Sequence, residues 1–368
     1  MLFRSDASMY RELYTYAEEG FPDFVKGGFY DYVEIENRKI SREAPRKSLS
    51  PIFGKRMDLQ QEREKGILDL NHIWTGIYRR DFLLEKGICL NESMGASYQD
   101  TGFALLVGLL ADTGVYIKES RYYYRRNNDN SSVKSSSKWA CVVGELEYVT
   151  REMVKRGRCD ADVRRLLRKY RLNLYFWNFR RLPEKERGLF LEEVKEELEE
   201  YTKDGTVYRW LDDGRKGMLE VMTDRNASEC YFKRLEEVEN RYRKLMALIR
   251  EGGKCVLVCA GKYGEFMLLV QEITGITYID GVADNDRGCQ GREWNGYMLT
   301  GIPEAVREYG GHWFVVANKG HSGEIREQLT EAGVPRDKIL EFDEVLPLAR
   351  IVELAAEGKH QRENGLGV

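Results

Sequence analysis

Lys254–Phe266 reads KCVLVCAGKYGEF: an unbroken apolar run from Cys255 to Ala260, then Gly261 and Gly264 at the start of a helical pattern. The run shows no polar alternation, as expected of a strand covered on both faces in a parallel sheet. Outward from it come a helix to about Thr274, a second strand in TYIDGVAD (277–284) and a third in HWFVVAN (312–318). A helix in GEIREQLTEAG (323–333) and a short strand in ILEF (339–342) follow. Strand and helix in that rhythm predict an α/β, doubly wound parallel sheet over residues 251–368.

The glycines match two positions of a G-x-G-x-x-G fingerprint, with Cys259 in place of the first glycine. Gly261 would let the backbone approach a phosphate at a helix N-terminus, and Asp284, ending the second strand, would bind a ribose diol. The alternative is that Gly261 and Gly264 only allow tight strand-to-helix packing. The order AGKYGEF, ADNDRG, TGIPEAV resembles the small Rossmann-like domains attached to bacterial polysaccharide-biosynthesis enzymes. That resemblance implies a nucleotide or sugar-nucleotide site at Gly261, Gly264 and Asp284.

Residues 138–250, just upstream, are helical and charged and read as a helical connector. Leu235, Val238, Tyr242, Leu245 and Ile249 recur at three- and four-residue steps, a seam for a linker helix packed on its own chain or for a dimerising coiled coil. Residues 1–137 have the texture of an α/β domain. MYRELYTYAEE (9–19) predicts a helix with Tyr10, Leu13, Tyr14 and Ala17 on one stripe. DFVKGGFYDYVEIE (23–36) predicts one or two strands, and the stretch from Arg42 to Arg63, with Pro45 and Pro51, a surface loop.

Chemistry concentrates between 69 and 138. Asp100 precedes the apolar run Phe103 to Leu110, so it sits near a helix start, where a carboxylate is stabilised as an anion and can serve as a general base. A plain helix cap is the alternative. From Arg121 to Lys138 five basic residues stand against Asp129 alone, a local charge of +4 suited to a diphosphate; otherwise the Tyr122–Arg126 run is a charged edge strand. Trp74 and Tyr78, at i and i+4, read as core.

Composition narrows the classes. The 58 Lys and Arg against 61 Asp and Glu give a net charge of −3, without the basic excess of a nucleic-acid binder. Phe103–Ala111, the longest apolar run, is far short of the roughly 20 residues a membrane span needs. The first residues lack the apolar core of a signal peptide. Seven scattered cysteines without a CxxC, and four histidines without ligand spacing, predict no metal site and a cytoplasmic chain with free thiols.

The ordered set Trp74, Tyr78, Arg79, Arg80, Leu83; then Gln99-Asp100-Thr101-Gly102-Phe103; then Tyr122-Tyr123-Tyr124-Arg125 and Ser131-Ser132 resembles family 2 glycosyltransferases of the inverting GT-A fold that build bacterial capsular and cell-wall glycans. The resemblance spans roughly residues 9–140. It implies Asp100 as the base that deprotonates an acceptor hydroxyl. It also implies Tyr124, Arg125, Ser131 and Ser132 as contacts to the donor diphosphate, on a loop that closes over it. Partners implied are a nucleotide-sugar donor and a glycan acceptor, with no nucleic acid; peripheral membrane association and self-association are allowed.

The chain departs from the family at Thr75-Gly76, where many relatives carry Asn-Lys, and before residue 9. There the family has a uridine-diphosphate-binding unit ending in an Asp-x-Asp motif for a divalent Mg or Mn ion, and this chain has MLFRSDAS. The expectation is an incomplete GT-A-like domain over 1–137, amino-terminally truncated, without metal ligands and inactive alone. A helical connector over 138–250 and a Rossmann-like domain over 251–368 complete the chain. The rival expectation is a non-catalytic module that binds a nucleotide or sugar nucleotide through 251–368.

Overall fold

The computed structural model describes residues 3–35, 38–44, 46–65, 71–92, 97–128, 135–203, 205 and 207–363. The chain is mixed α/β and divides into two units: Met1–Tyr32 with Ser41–Cys230, and Val33–Ile40 with Tyr231–Val368.

Unit 1 opens with β1 (Phe3–Ser5), α1 (Met9–Glu18), β2 (Phe24–Ile35) and β3 (Arg38–Glu43), the last two reaching into the segment counted with unit 2. The apolar stripe of α1 is Met9, Leu13, Tyr16 and Ala17, so Tyr10 and Tyr14 are exposed at 60% and 59%, against the expectation that they face inward. β2 is one strand, and the Gly27-Gly28 pair that breaks its alternation is a bulge in the ladder. Gly28 is tightly packed there: a Cβ would lie 2.1 Å from Ser120 Oγ, which would have to shift.

The predicted loop from Arg42 to Arg63 instead holds a 3-10 turn (Lys47–Ile52), β4 (Arg56–Asp58) and the start of α2 (Leu59–Lys65), because Leu49, Met57 and Leu59 are buried anchors. β5 (Gly76–Tyr78), α3 (Arg80–Glu85), α4 (Gln99–Leu110) and β6 (Thr113–Arg125) follow. β2 and β6 run parallel at the centre, from Phe24 opposite Gly114 to Tyr32 opposite Arg125. β1 and β4 pair antiparallel with the other side of β6, so the Tyr122–Arg125 run lies inside the sheet and not at an edge. α4 is buried nearly all round, as its apolar sequence requires. Five helices complete unit 1: α5 (Trp139–Lys155), α6 (Ala161–Arg181), α7 (Glu184–Lys203), α8 (Val207–Trp210) and α9 (Asp213–Thr223).

The long α10 (Arg225–Arg250) brings the seam Val238, Tyr242, Leu245 and Ile249 into the core of unit 2, together with Val33 and Ile40. The seam is thus covered by its own chain. β7 (Cys255–Val258), α11 (Lys262–Thr274), β8 (Ile279–Ala283), β9 (Glu293–Trp294), β10 (Tyr297–Thr300), α12 (Ile302–Tyr309), β11 (Trp313–Val316), α13 (Ser322–Glu331), β12 (Ile339–Glu341) and α14 (Leu348–Glu363) form the rest. The sheet order is β12-β11-β7-β8-β10-β9, parallel except for β9. Cys255 and Leu257 enter one buried cluster and Val256 and Val258 the other, so β7 is covered on both faces as its apolar run predicts.

Cys259 takes φ +83, the left-handed conformation that the fingerprint's first glycine would adopt freely. A β-branched side chain there should be strained. Cys259→Val is expected to lower unfolding stability by about 1–3 kcal/mol, whereas Cys259→Gly stays within about 1 kcal/mol of the parent. Urea midpoints that coincide for the two variants would remove the strain argument.

Candidate functional site

The chain before β5 forms a 3-10 turn, Ile73–Thr75, entered through His72 at φ +61. The buried ammonium of Lys26 donates to the Asn71 carbonyl and tethers this approach. Trp74 sits on the turn, stacked on Tyr122 (centroids 4.1 Å apart) and on Tyr124 (5.1 Å, planes 2° apart). The i, i+4 spacing of Trp74 and Tyr78 is therefore not helical. Tyr78 packs edge-on against Phe103, while Trp74 lines a cleft of about 420 Å³, a volume typical of ligand sites.

Strand alternation sets which end of β6 the cleft sees. Tyr122 and Tyr124 share the Trp74 face, whereas Tyr123 stacks on Tyr30. Arg126 continues the ladder by donating its amide to Tyr32 O at 2.8 Å, and it lines the cleft with Tyr124. Its guanidinium lies 4.6 Å over the Tyr124 ring, and its Nε donates to Asp31 Oδ1 at 2.7 Å.

Tyr98, at φ +69, leads into α4, and Asp100 is the second residue of that helix. Backbone in the left-handed region at two non-glycine residues, His72 and Tyr98, is costly, and both line the cleft. Asp100 Oδ1 accepts the Thr101 amide at 3.0 Å. Although its tip reaches solvent, the protein around it desolvates the carboxyl and raises its pKa, against the pull of the Thr101 amide and its own. Burial likewise raises the Tyr98 hydroxyl, which keeps its proton at neutral pH. Gly102, two residues after Asp100, packs against α5: a Cβ would lie 2.3 Å from Glu145 Oε2 and push that carboxylate aside.

The opposite wall is α6, through Tyr170, Asn173, Leu174 and Trp177. The cleft thus holds a carboxylate with a raised pKa, a guanidinium paired to Asp31 and aromatic faces on both sides. Such an arrangement can bind the apolar face of a polar ring and take a proton from one of its hydroxyls.

Of the residues singled out in the sequence, Asp100 and Tyr124 come together here. Arg125 falls on the other face of β6, its Nε donating to Asn127 Oδ1 at 3.3 Å, and the arginine of the cleft is Arg126. Ser131 and Ser132 lie outside the described residues. Period-two alternation from Tyr124 was the signal for Arg126. The i, i+3, i+4, i+7 spacing of the α6 residues puts them on one helical face, but nothing in it points to the cleft.

In unit 2, Gly264 packs where a Cβ would lie 2.5 Å from Cys259 O, and Gly261 meets nothing within 4 Å. The Asp284 carboxylate accepts the Ala260 amide at Oδ2 and the Asp286 amide at Oδ1, both at 2.9 Å, and so ties together the loops after β7 and β8.

Among the described residues, no group of three or more His, Cys, Asp or Glu is placed to hold a metal, and no helix is long and apolar enough to cross a membrane. No family model and no curated protein matches the chain. Among solved structures, the crystal structure of S. aureus TarS 1-349 is similar at TM-score 0.32 and 12% identity, over 59% of this chain and 63% of that one. The chain therefore spans less than two thirds of that structure, and a likeness this distant assigns no role to any residue.

Proposed function

We propose that unit 1 activates the acceptor in sugar transfer, in the manner of an inverting family 2 glycosyltransferase of GT-A type acting on bacterial surface polysaccharide. The observation that carries this reading is Asp100, the one carboxylate among the described lining residues, set at a helix start in an aromatic-walled cleft. The acceptor hydroxyl oxygen attacks the anomeric carbon of a nucleoside-diphosphate sugar. The bond from that carbon to the diphosphate oxygen breaks, the diphosphate leaves with the electron pair, and the hydroxyl proton passes to Asp100. Tyr124 and Arg126, the latter paired to Asp31, line the same cleft.

The family resemblance brings with it a Mg or Mn ion on the donor. The described residues do not fit one, since Asp100 has no second carboxylate beside it in the lining they form, and no step here runs through a metal. We also read unit 2 as a Rossmann-like domain on its strand order. Gly264 and Asp284 there support packing and loop tying.

Saturation-transfer NMR of the full chain with a panel of oligosaccharides tests the cleft. Binding is expected, and it is expected to be lost in Trp74→Ala. The absence of binding to every member of the panel overturns the reading.

A further inference from the structure

α6 lies beyond the motifs that carry the glycosyltransferase resemblance, yet it builds a whole wall of the cleft. Tyr170, Asn173, Leu174 and Trp177 fall on one helical face by their spacing. The packing positions of α6, such as Leu172, Tyr175 and Phe179, are fully buried, with the Tyr175 hydroxyl donating to Glu197. Trp177 instead keeps 37% of its surface exposed, edge-on to Tyr98 at 5.8 Å, with the Arg181 guanidinium 5.0 Å over its ring. That ring lines the cleft and stays partly open, with the Arg181 guanidinium over one face.

Asn173 is fixed as well. Its Oδ1 accepts Arg215 Nε at 3.1 Å, and Arg215 is itself paired to Asp212. With Oδ1 accepting from Arg215, Nδ2 supplies the amide's N–H donors, and the residue lines the cleft. Trp74, stacked on Tyr124, lines the same cleft. Rings on two walls with an amide donor and a carboxylate between them suit a pyranose, whose C–H faces stack and whose hydroxyls hydrogen-bond. Charge narrows the class: Arg126 is paired to Asp31, the Arg181 guanidinium is engaged with the Trp177 and Tyr98 rings, and Asp100 would repel an anion.

We propose that this face of α6 is the acceptor-recognition wall, with Trp177 stacking an uncharged sugar and Asn173 reading one of its hydroxyls. The inference rests on the cleft being a glycan site. The test titrates the full chain with neutral and uronic-acid-containing oligosaccharides, comparing the parent with Trp177→Ala, Trp177→Phe, Asn173→Ala and Trp74→Ala and recording each melting midpoint. Trp177→Ala and Asn173→Ala are expected to weaken neutral-glycan binding about tenfold, the size of one stacking or hydrogen-bonding contact. Trp177→Phe, which keeps a ring and the fold, is expected to retain binding within about threefold. If Trp74→Ala abolishes binding while both α6 alanine variants bind like the parent, the inference falls and the cleft reading stands. Tighter binding of the uronates overturns the uncharged assignment. No glycan binding by the parent overturns the cleft reading, and this inference with it.

Discussion

In an enzyme that joins this cleft to a nucleotide-sugar donor site, Asp100→Asn is expected to lower kcat for sugar transfer by about 10²–10⁴-fold, the usual contribution of a positioned general base, while acceptor affinity changes little. The substitution is nearly isosteric, and the asparagine Oδ1 can keep the bond from the Thr101 amide, so the helix start is preserved. What disappears is the basic oxygen. A pH profile supplies the second readout. The base acts when deprotonated, so the parent's rate falls as pH drops through the Asp100 pKa. Burial lifts that pKa above its ordinary 3.8, placing the acid limb above the limb of an unperturbed aspartate, and the limb vanishes in the variant.

Stability moves the other way. A carboxyl whose pKa is raised by folding binds its proton more tightly in the native state, so its contribution to stability falls as pH rises through the raised value. Asp100 is exposed, so that contribution is small at neutral pH, and asparagine keeps the Thr101 bond. The variant should therefore melt no lower than the parent, which separates loss of chemistry from loss of fold. Equal turnover in parent and variant would reject Asp100 as the base.

Local pattern made the architecture legible where one element decides its own fate. The apolar run Cys255–Ala260 could only be a doubly covered strand, and α4 is buried because its sequence has no polar face. Elements that depend on a neighbour were harder to read. Tyr10 and Tyr14 match a helical stripe as well as Met9 and Tyr16 do, and only the sheet beneath α1 selects the second set. Leu49, Met57 and Leu59 looked like isolated apolar residues in a charged loop until partners brought by tertiary packing buried them.

The site divides in the same way. Asp100 and Tyr124 lie on motifs with local signatures, and alternation along β6 was enough to exchange Arg125 for Arg126. The α6 wall joins residues 170–177 to residues 71–126 across the fold, and no local pattern announces that junction.

Asp23→Ala is expected to cost about 2–5 kcal/mol of unfolding stability, from stranding two backbone amides at about 1–3 kcal/mol each. Asp23 is 3% exposed. Its Oδ1 pairs with Arg79 at 2.6 Å, and its Oδ2 accepts the amides of Asp112 and Thr113 at 2.7 and 3.0 Å. Its backbone adds two bonds to the same partners, accepting from the Arg79 amide and donating to Thr113 O. One residue thus locks the start of β6 and the end of β5 to the start of β2, beside the first rung of the central ladder, Phe24 opposite Gly114.

Truncation would strand two backbone amides and a partly covered guanidinium, all donors, around a cavity with no acceptor. Asp23→Asn returns one acceptor oxygen and should lose less. Arg79→Ala should lose less again, because the carboxylate keeps both amides and the lost guanidinium is 37% exposed, where an ion pair contributes little. The expected order of denaturation midpoints is therefore parent, Arg79→Ala, Asp23→Asn, Asp23→Ala, from most to least stable. If Arg79→Ala proved as damaging as Asp23→Ala, the ion pair and not the amide lock would hold the ladder, and the account of how β2 and β6 are registered would have to change.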